Sequence, residues 1–502
     1  QDITKIINED LVYVDKTQHI YKLLDGSYYF LARPRRFGKS LLVSTLKEIF
    51  LGNKELFKNL WIYDKIEWIE YPVIHIDFSK SGHKVSGLAN AINFILDETA
   101  AKYGVELNSE FYPNKFSELI DKLSLKAKVV ILIDEYDKPL IDFIEDEEKA
   151  DANREVLRNF FSVLKGNDAK IRFCFLTGIT KFSKVSVFSE LNNLYDITLS
   201  NEFATITGIT QTELEHAFAD RLTLLPGKLN DTRENILADI KKWYNGYSWN
   251  GVDFVYNPFS LLCFFRDSRF DNYWFATGTP TLLIKLAKKQ NRELFDPKSL
   301  HVHRSLFDKY DLSDLWLLPL LFQTGYLTIK ENNPKTGFLQ LNYPNFEVEE
   351  SFLMHLYSGY AEKSPGESSY LLQTLQQNLA SNNLPDFIEN LKALYAGISY
   401  HLIDNKEKYF HSLFYMVMRL LGFFIDCEVE TNTGRIDAVI KTDKFIYILE
   451  FKMGDAKTAI AQIKTNNYAQ KYISESKQIV LFGIGFDAET KNVGTWEIET
   501  LN

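Results

Sequence analysis

Apolar residues in the N-terminal part of the chain gather in short runs, each ending in small or charged residues. Tyr28 to Ala32 (YYFLA) reads as a buried strand. It is followed by Arg33-Pro-Arg-Arg-Phe-Gly-Lys-Ser40 and then by LLVSTLKEIF, whose apolar spacing is helical. Val129 to Ile133 is a second such run, closed by Asp134 and Glu135, and Arg172 to Leu176 a third, closed by Thr177 and Gly178. Strands fed by helical segments predict an α/β fold with a parallel sheet. From about Thr207 to Phe275 the period turns helical, and TQTELEHAF opens on a capping box of Thr210 and Glu213. The segments WYNGYSW (Trp243 to Trp249) and YNPFSLL (Tyr256 to Leu262) mix turn signals with aromatics, which predicts packing at a core or domain interface. Residues 312–323 (LSDLWLLPLLFQ) predict an amphipathic helix, turning at Gly325 into the strand YLTIK. A turn at Asn332, Asn333 and Pro334 then leads to GFLQL, a winged-helix-like unit whose tip carries Lys330, Lys335 and Glu331. Further helices are expected over 365–400. From Asn405 onward the order is helix (KEKYFHSLFYMVMRLLGF), three strands (IDCEVE, GRIDAVI, FIYILEFK), a helix over 455–474, and two strands (QIVLFGI, VGTWEI).

At 502 residues the chain exceeds one hydrophobic core. Three domains are expected: 1–205, a helical middle of 206–400 with the winged-helix-like unit around 312–345, and 401–502. With 45% hydrophobic, 14% aromatic and 25% charged residues, the chain has the balance of a folded soluble protein, not a disordered one. Three scattered cysteines, Cys174, Cys263 and Cys427, exclude a disulfide framework or zinc knuckle and predict buried thiols in a reducing compartment. No apolar run is long enough to span a membrane and no charged leader precedes an apolar core, so a cytoplasmic protein is expected. A net charge of −10 excludes a protein that coats polyanions generally and leaves nucleic-acid contact to local patches.

Strand, Gly-Lys-Ser loop and helix together form the context of a P-loop. The loop (Arg36, Gly38) and the helix N-terminus would cradle phosphates, Lys39 would reach the β- and γ-phosphates, and Ser40 would ligate Mg²⁺. The usual first glycine of the loop is here Arg33, which implies a reshaped turn. Asp134 is read as the Mg²⁺-holding acid, on a strand beside the P-loop strand, and Glu135 as the base for the attacking water. Thr177 ends a further strand, where it is placed to sense the γ-phosphate.

In the C-terminal part, Glu450 and Lys452 flank Phe451 in an otherwise apolar strand, so their side chains share a face. With Asp437 on the preceding strand they form a candidate Mg²⁺ site, two carboxylates holding the metal and the lysine steadying the phosphate charge. Glu407 and His411 on the first helix, Glu430, and Gln462 and Tyr468 on the second helix are accessory candidates. From Asp404 to Asn502 there are twelve Lys and Arg against fourteen Asp and Glu, so the field of this part does not by itself draw in DNA.

The motifs YVDKT (Tyr13 to Thr17), RPRRFGKS, ILIDEYDKPL (Ile131 to Leu140), LTGITKFSK (Leu176 to Lys184), FSELNNLYDIT (Phe188 to Thr198) and FQTGYLTIK (Phe322 to Lys330) together resemble the bacterial AAA-ATPase-like proteins. Members of that family commonly carry a C-terminal domain of the PD-(D/E)xK nuclease superfamily, whose core has the same αβββαβ order. The resemblance implies an AAA-like P-loop domain, a restriction-endonuclease-like C-terminal domain, and a loop lacking the first glycine as a variant of the family itself. It further implies ATP and Mg²⁺ as cofactors, homo-oligomers, and nucleic acid, DNA rather than RNA, as the substrate. The expected function is an ATP-dependent or ATP-regulated, Mg²⁺-dependent nuclease. The alternative is an NTP-binding regulator or scaffold whose nuclease fold binds nucleic acid without cutting it.

Overall fold

The computed structural model describes residues 2–181, 188, 191, 193–275, 281–290, 300–307, 317–361, 364–396, 416–422, 426–429, 438–487, 489–490 and 492–501. They fold as two compact units, Gln1–Thr277 with Leu300–Glu347, and Gly278–Ser299 with Val348–Asn502. Among the described residues no helix is long and apolar enough to cross a membrane.

The first unit is built on five strands, β1 (Tyr28–Ala32), β2 (Val73–Asp77), β3 (Val129–Asp134), β4 (Ile171–Gly178) and β5 (Tyr195–Asp196). They are ordered β2-β3-β4-β1-β5 and all neighbours are parallel. The strand runs are continuously apolar because both faces are covered. On one face Phe30, Ile131, Ile133 and Leu176 pack with Phe116, Leu157 and Phe160 of the helices Tyr112–Ser124 and Glu147–Gly166. On the other, Leu31, Val130, Leu132 and Phe175 pack with Val43, Leu46 and Ile49 of the helix Lys39–Phe50. The sheet order corrects one expectation. β3, which carries Asp134, is not beside the P-loop strand β1, because β4 is inserted between them.

Helices Gln211–Ala217, Ala219–Leu229, Arg233–Tyr244 and Pro258–Asp267 form a separate apolar cluster around Leu214, Phe218, Ile240, Tyr244 and Phe264. The Thr210–Glu213 capping box is present. The expected helix and hairpin are observed as the helix Leu317–Thr324 with β7 (Thr328–Asn332) and β8 (Phe338–Asn342). A third strand, β6 (His301–His303), pairs with β8. Lys330 is not available as a tip cation. Its ammonium donates to the carbonyls of Pro344 at 3.0 Å and Gly246 at 3.4 Å, and burial lowers its pKa to about 8.

The second unit holds the helices Pro365–Ala380 and Leu384–Ala396 and a mixed sheet ordered β13-β12-β11-β10-β9. Its strands are β9 (Asp426–Val429), β10 (Ala438–Lys441), β11 (Phe445–Met453), β12 (Gln478–Asp487) and β13 (Asn492–Leu501). Only β11 and β12 run parallel. The helix expected over 455–474 is shorter, Ala456–Thr465. Asn467 turns the chain at φ 51° into a 3-10 turn, Tyr468–Tyr472, so Tyr468 is not on that helix.

Candidate functional site

The loop after β1 turns without a glycine at its start because the left-handed positions fall later, at Arg36 (φ 66°) and Gly38 (φ 85°). Arg33 has no such demand on its backbone, and its side chain turns inward, 1% exposed. The guanidinium donates to the carbonyls of Ala32 at 2.9 Å, Thr198 at 2.8 Å and Phe203 at 3.2 Å, and lies 3.9 Å from the ring centroid of Trp249. Burial lowers its pKa to about 9, which leaves it charged at neutral pH. A buried cation bound to neutral dipoles and an aromatic face thus braces the loop where a glycine would give freedom. Phe37 continues the brace, its ring 4.6 Å from Tyr247 and 5.5 Å from Trp249. Trp274 Nε1 donates to Arg35 O at 3.2 Å. Tyr247 and Trp249, expected to serve packing, do so, and what they pack against is the loop.

Gly38 caps the helix Lys39–Phe50. Lys39 is 5% exposed, and its ammonium donates to Arg33 O and Pro34 O, both at 2.9 Å. Burial lowers its pKa, while Glu135, Asp134 and Asp137 raise it through space. Across the sheet, Thr177 Oγ1 donates to Asp134 Oδ1 at 2.6 Å. The strand inserted between β1 and β3 therefore contributes the residue that grips the acid. Glu135 follows in a left-handed backbone, φ 52°, half-buried. Burial raises its pKa, Lys39 opposes that, and Asp134 and Asp137 add to it. Gly178 is needed for close approach, since a Cβ there would lie 2.5 Å from the Tyr136 ring.

A cleft of about 590 Å³ opens on Gly38, Lys39, Ser40 and Glu135. Arg36 also lines it, exposed, with its guanidinium 3.8 Å from the Phe259 ring centroid. Asp134 and Thr177 are buried behind the lining rather than part of it. The remainder of the wall is largely apolar, including Val14, Ile206, Ile209 and Leu262. Lys16 of the YVDKT segment lines it as well, its ammonium 2.7 Å from both Glu213 carboxylate oxygens and 2.9 Å from Thr205 O. The role of Lys16 and Glu213 was missed from sequence. The capping box signalled Glu213, but nothing local signals a partner 197 positions away.

In the second unit, Ile446 and Ile448 of β11 pack beneath Ile460 and Ile463 of the helix Ala456–Thr465. By alternation Glu450 and Lys452 extend that same face. Glu450 is 1% exposed, and its Oε1 lies 3.3 Å from the ammonium of Lys452, whose side chain is 34% exposed. Gln462 is half-buried on the covering helix, and the Tyr468 hydroxyl accepts from Asn466 Nδ2 at 2.7 Å. Asp437, Glu407, His411 and Glu430 lie outside the described residues. Among the described residues no three His, Cys, Asp or Glu stand together as a metal cluster. Cys174 and Cys263 are buried free thiols, as expected.

Residues 1–188 match the AAA-ATPase-like family, described as a predicted AAA-ATPase, and residues 405–496 match the PD-(D/E)XK nuclease superfamily. The chain is 36% identical over 515 residues to an uncharacterized protein in the vnfD 5' region of Azotobacter chroococcum mcd 1, covering 98% of this chain and 96% of that protein. With strand order, loop and motifs in agreement, the chain belongs to the AAA-ATPase-like family and joins an AAA-ATPase-like domain at its N-terminal end to a PD-(D/E)XK nuclease-superfamily domain at its C-terminal end.

Proposed function

We propose that this protein is an ATP-driven, Mg²⁺-dependent nuclease that hydrolyses phosphodiester bonds in DNA and works as a homo-oligomer in the cytoplasm. The observation that carries the reading is the convergence of Lys39, Ser40 and Glu135 on one cleft, with Asp134 held behind them by Thr177. The residues present fit a nucleotide with its metal. Hard oxygen donors, a serine hydroxyl and a buried carboxylate, stand beside an ammonium that, among the described residues, donates to two carbonyls. Ser40 and Asp134 would hold Mg²⁺, Lys39 would bind the β- and γ-phosphates, and the helix N-terminus would present its N–H groups to them. Glu135 accepts a proton from water as the water oxygen bonds to the γ-phosphorus and the bridging bond to the β-phosphate oxygen breaks, yielding ADP and phosphate. A base whose pKa is raised by burial is the better suited to take that proton near neutral pH.

In the second unit, Glu450 fits a divalent cation as a buried carboxylate at a strand end, and Asp437 is assigned as its companion ligand. Mg²⁺ held there would polarise the scissile phosphate and acidify a water, and Lys452 would steady the charge that builds on the phosphate oxygens. Cutting is favoured over binding alone by charge. Twelve cations against fourteen acids from Asp404 to Asn502 give no field for holding a polyanion, whereas a nuclease site can draw positive charge from its metal. The test is to incubate the full chain with ATP, Mg²⁺ and DNA. Glu450→Ala is expected to abolish cleavage with ATP turnover within about twofold of wild type, since the sites lie in different units. Glu135→Gln is expected to slow ATP turnover by about 10²–10⁴ while nucleotide still binds. Wild-type protein that binds DNA and cleaves none under these conditions refutes the nuclease half.

A further inference from the structure

Asp137 has no part in the chemistry above, yet it is a heavily engaged carboxylate beside the cleft. It is fully buried, and its Oδ2 accepts from the Ile179 N–H at 2.9 Å, the Thr180 N–H at 2.7 Å and the Thr180 hydroxyl at 2.7 Å. Burial pushes its pKa up, and the Thr180 donors pull it down. Its Oδ1 has no hydrogen-bond partner among the described residues. Parallel tethers run from its neighbours to the same segment. Thr177 Oγ1 donates to Asp134, Tyr136 N–H donates to Thr177 O at 2.9 Å, and the Tyr136 hydroxyl donates to Thr180 O at 2.8 Å. Asp134, Tyr136 and Asp137 are thus each tied to residues 177–180. Glu135 stands between these ties at φ 52°, a conformation that L side chains rarely adopt and that persists where surrounding bonds over-determine it.

We infer that Asp137 is a positioning residue for hydrolysis: by gripping Ile179 and Thr180 it locks the turn after β3, so that Glu135 stays left-handed and presents its carboxylate to the cleft. This rests on the reading of Glu135 as the base.

The test uses the full chain with ATP and Mg²⁺, measuring kcat, KM and the Kd of a fluorescent ADP analogue. Asp137→Ala is expected to lower kcat at least about tenfold with Kd within about threefold, the split of a group acting on the transition state alone. Asp137→Asn, whose amide oxygen still accepts both N–H groups, is expected to keep roughly a third or more of the rate. Adding Asp137→Ala to Glu135→Gln is expected to cost less than about twofold more, because the two act as one unit. Should Asp137→Ala fail to fold, Thr180→Val removes one donor and is expected to lower kcat about threefold at unchanged Kd. Multiplying losses in the double variant, joint loss of Kd and kcat in Asp137→Ala, or unchanged kcat in Asp137→Ala or Thr180→Val overturns the inference alone. Wild type without ATP hydrolysis, or hydrolysis that Glu135→Gln leaves untouched, overturns the reading of the base and this inference with it.

Discussion

Lys39 and Lys452 each stand beside acids near a strand end, but their surroundings differ in kind. The acceptors of the Lys39 ammonium are two carbonyls at 2.9 Å, and the acids near it act through space. Lys452 lies 3.3 Å from a carboxylate on its own strand and is a third exposed. A cation bonded to neutral dipoles keeps more of its field for an anion arriving from solution than one bonded to a carboxylate, even where acids act on it through space. One paired with a carboxylate has that field largely cancelled, so on the proposed reading its site would draw phosphate through a metal. On the proposed function, the first arrangement would bind phosphate in the ground state and the second would act while charge is moving.

The most direct test of this contrast exchanges each lysine for alanine. Lys39→Ala is expected to weaken nucleotide binding by roughly a hundredfold or more, the worth of a buried charge-assisted contact. Lys452→Ala is expected to leave nucleotide affinity unchanged and to keep Mn²⁺ binding at its own site, while slowing DNA cleavage. Calorimetric titration of both variants with ADP and with Mn²⁺ checks the pair. Equal loss of ground-state binding in both would erase the distinction.

Much of the cleft proposed to hold nucleotide was legible in sequence because its parts are local. Strand, Gly-Lys-Ser and helix are contiguous, and Asp134 with Glu135 end an apolar run. What was not legible depends on strand order and on long-range pairing. The apolar run marks Thr177 as a strand end, but only the insertion of β4 between β1 and β3 explains why its hydroxyl meets Asp134. Arg33 read as a reshaped turn by comparison with a glycine. Its partners, Thr198, Phe203 and Trp249, come from distant positions that no local pattern connects to it. Lys330 read as a surface charge because a strand end with Asn and Pro nearby is usually exposed, whereas the carbonyls of Gly246 and Pro344 enclose it. In the second unit, alternation alone placed Glu450 and Lys452 on one face, and the ion pair agrees.

Arg33 extends the contrast to stability, since it too is a buried cation held by neutral groups. Arg33→Gly would restore the usual P-loop pattern, yet it is expected to destabilise the first unit by roughly 4 kcal/mol, because three charge-assisted bonds and an aromatic contact are lost and buried carbonyls are left without donors. Arg33→Lys is expected to recover only part of this, as an ammonium cannot span the fork of carbonyls. Urea melts of the three proteins decide the point. If Arg33→Gly is as stable as wild type, the loop holds its shape without the brace.

Glu347 is the acidic counterpart of these cations, and its effect appears only as a function of pH. It is fully buried and accepts from the Trp274 N–H, the residue whose indole in turn donates to Arg35 O in the loop. Burial raises its pKa from 4.5 to about 7, only partly offset by hydrogen bonds. The sign follows from proton binding. Below about 4.5 both folded and unfolded chains hold the proton, and the stabilising contribution of the neutral acid is fully present. As pH rises toward 7 the unfolded chain releases its proton first, so that contribution is lost, amounting to about 3 kcal/mol across the window. Glu347→Gln stays neutral throughout and can still accept from Trp274. Its stability relative to wild type is therefore expected to improve by about 3 kcal/mol between pH 4.5 and pH 8, read from urea melts at the two pH values, where contributions common to both proteins cancel. A difference that does not change with pH would mean that this carboxylate is ionised in the fold and matched by a positive partner, the arrangement of Glu450 and Lys452, and the contrast between the two regions would then fail for acids while standing for cations.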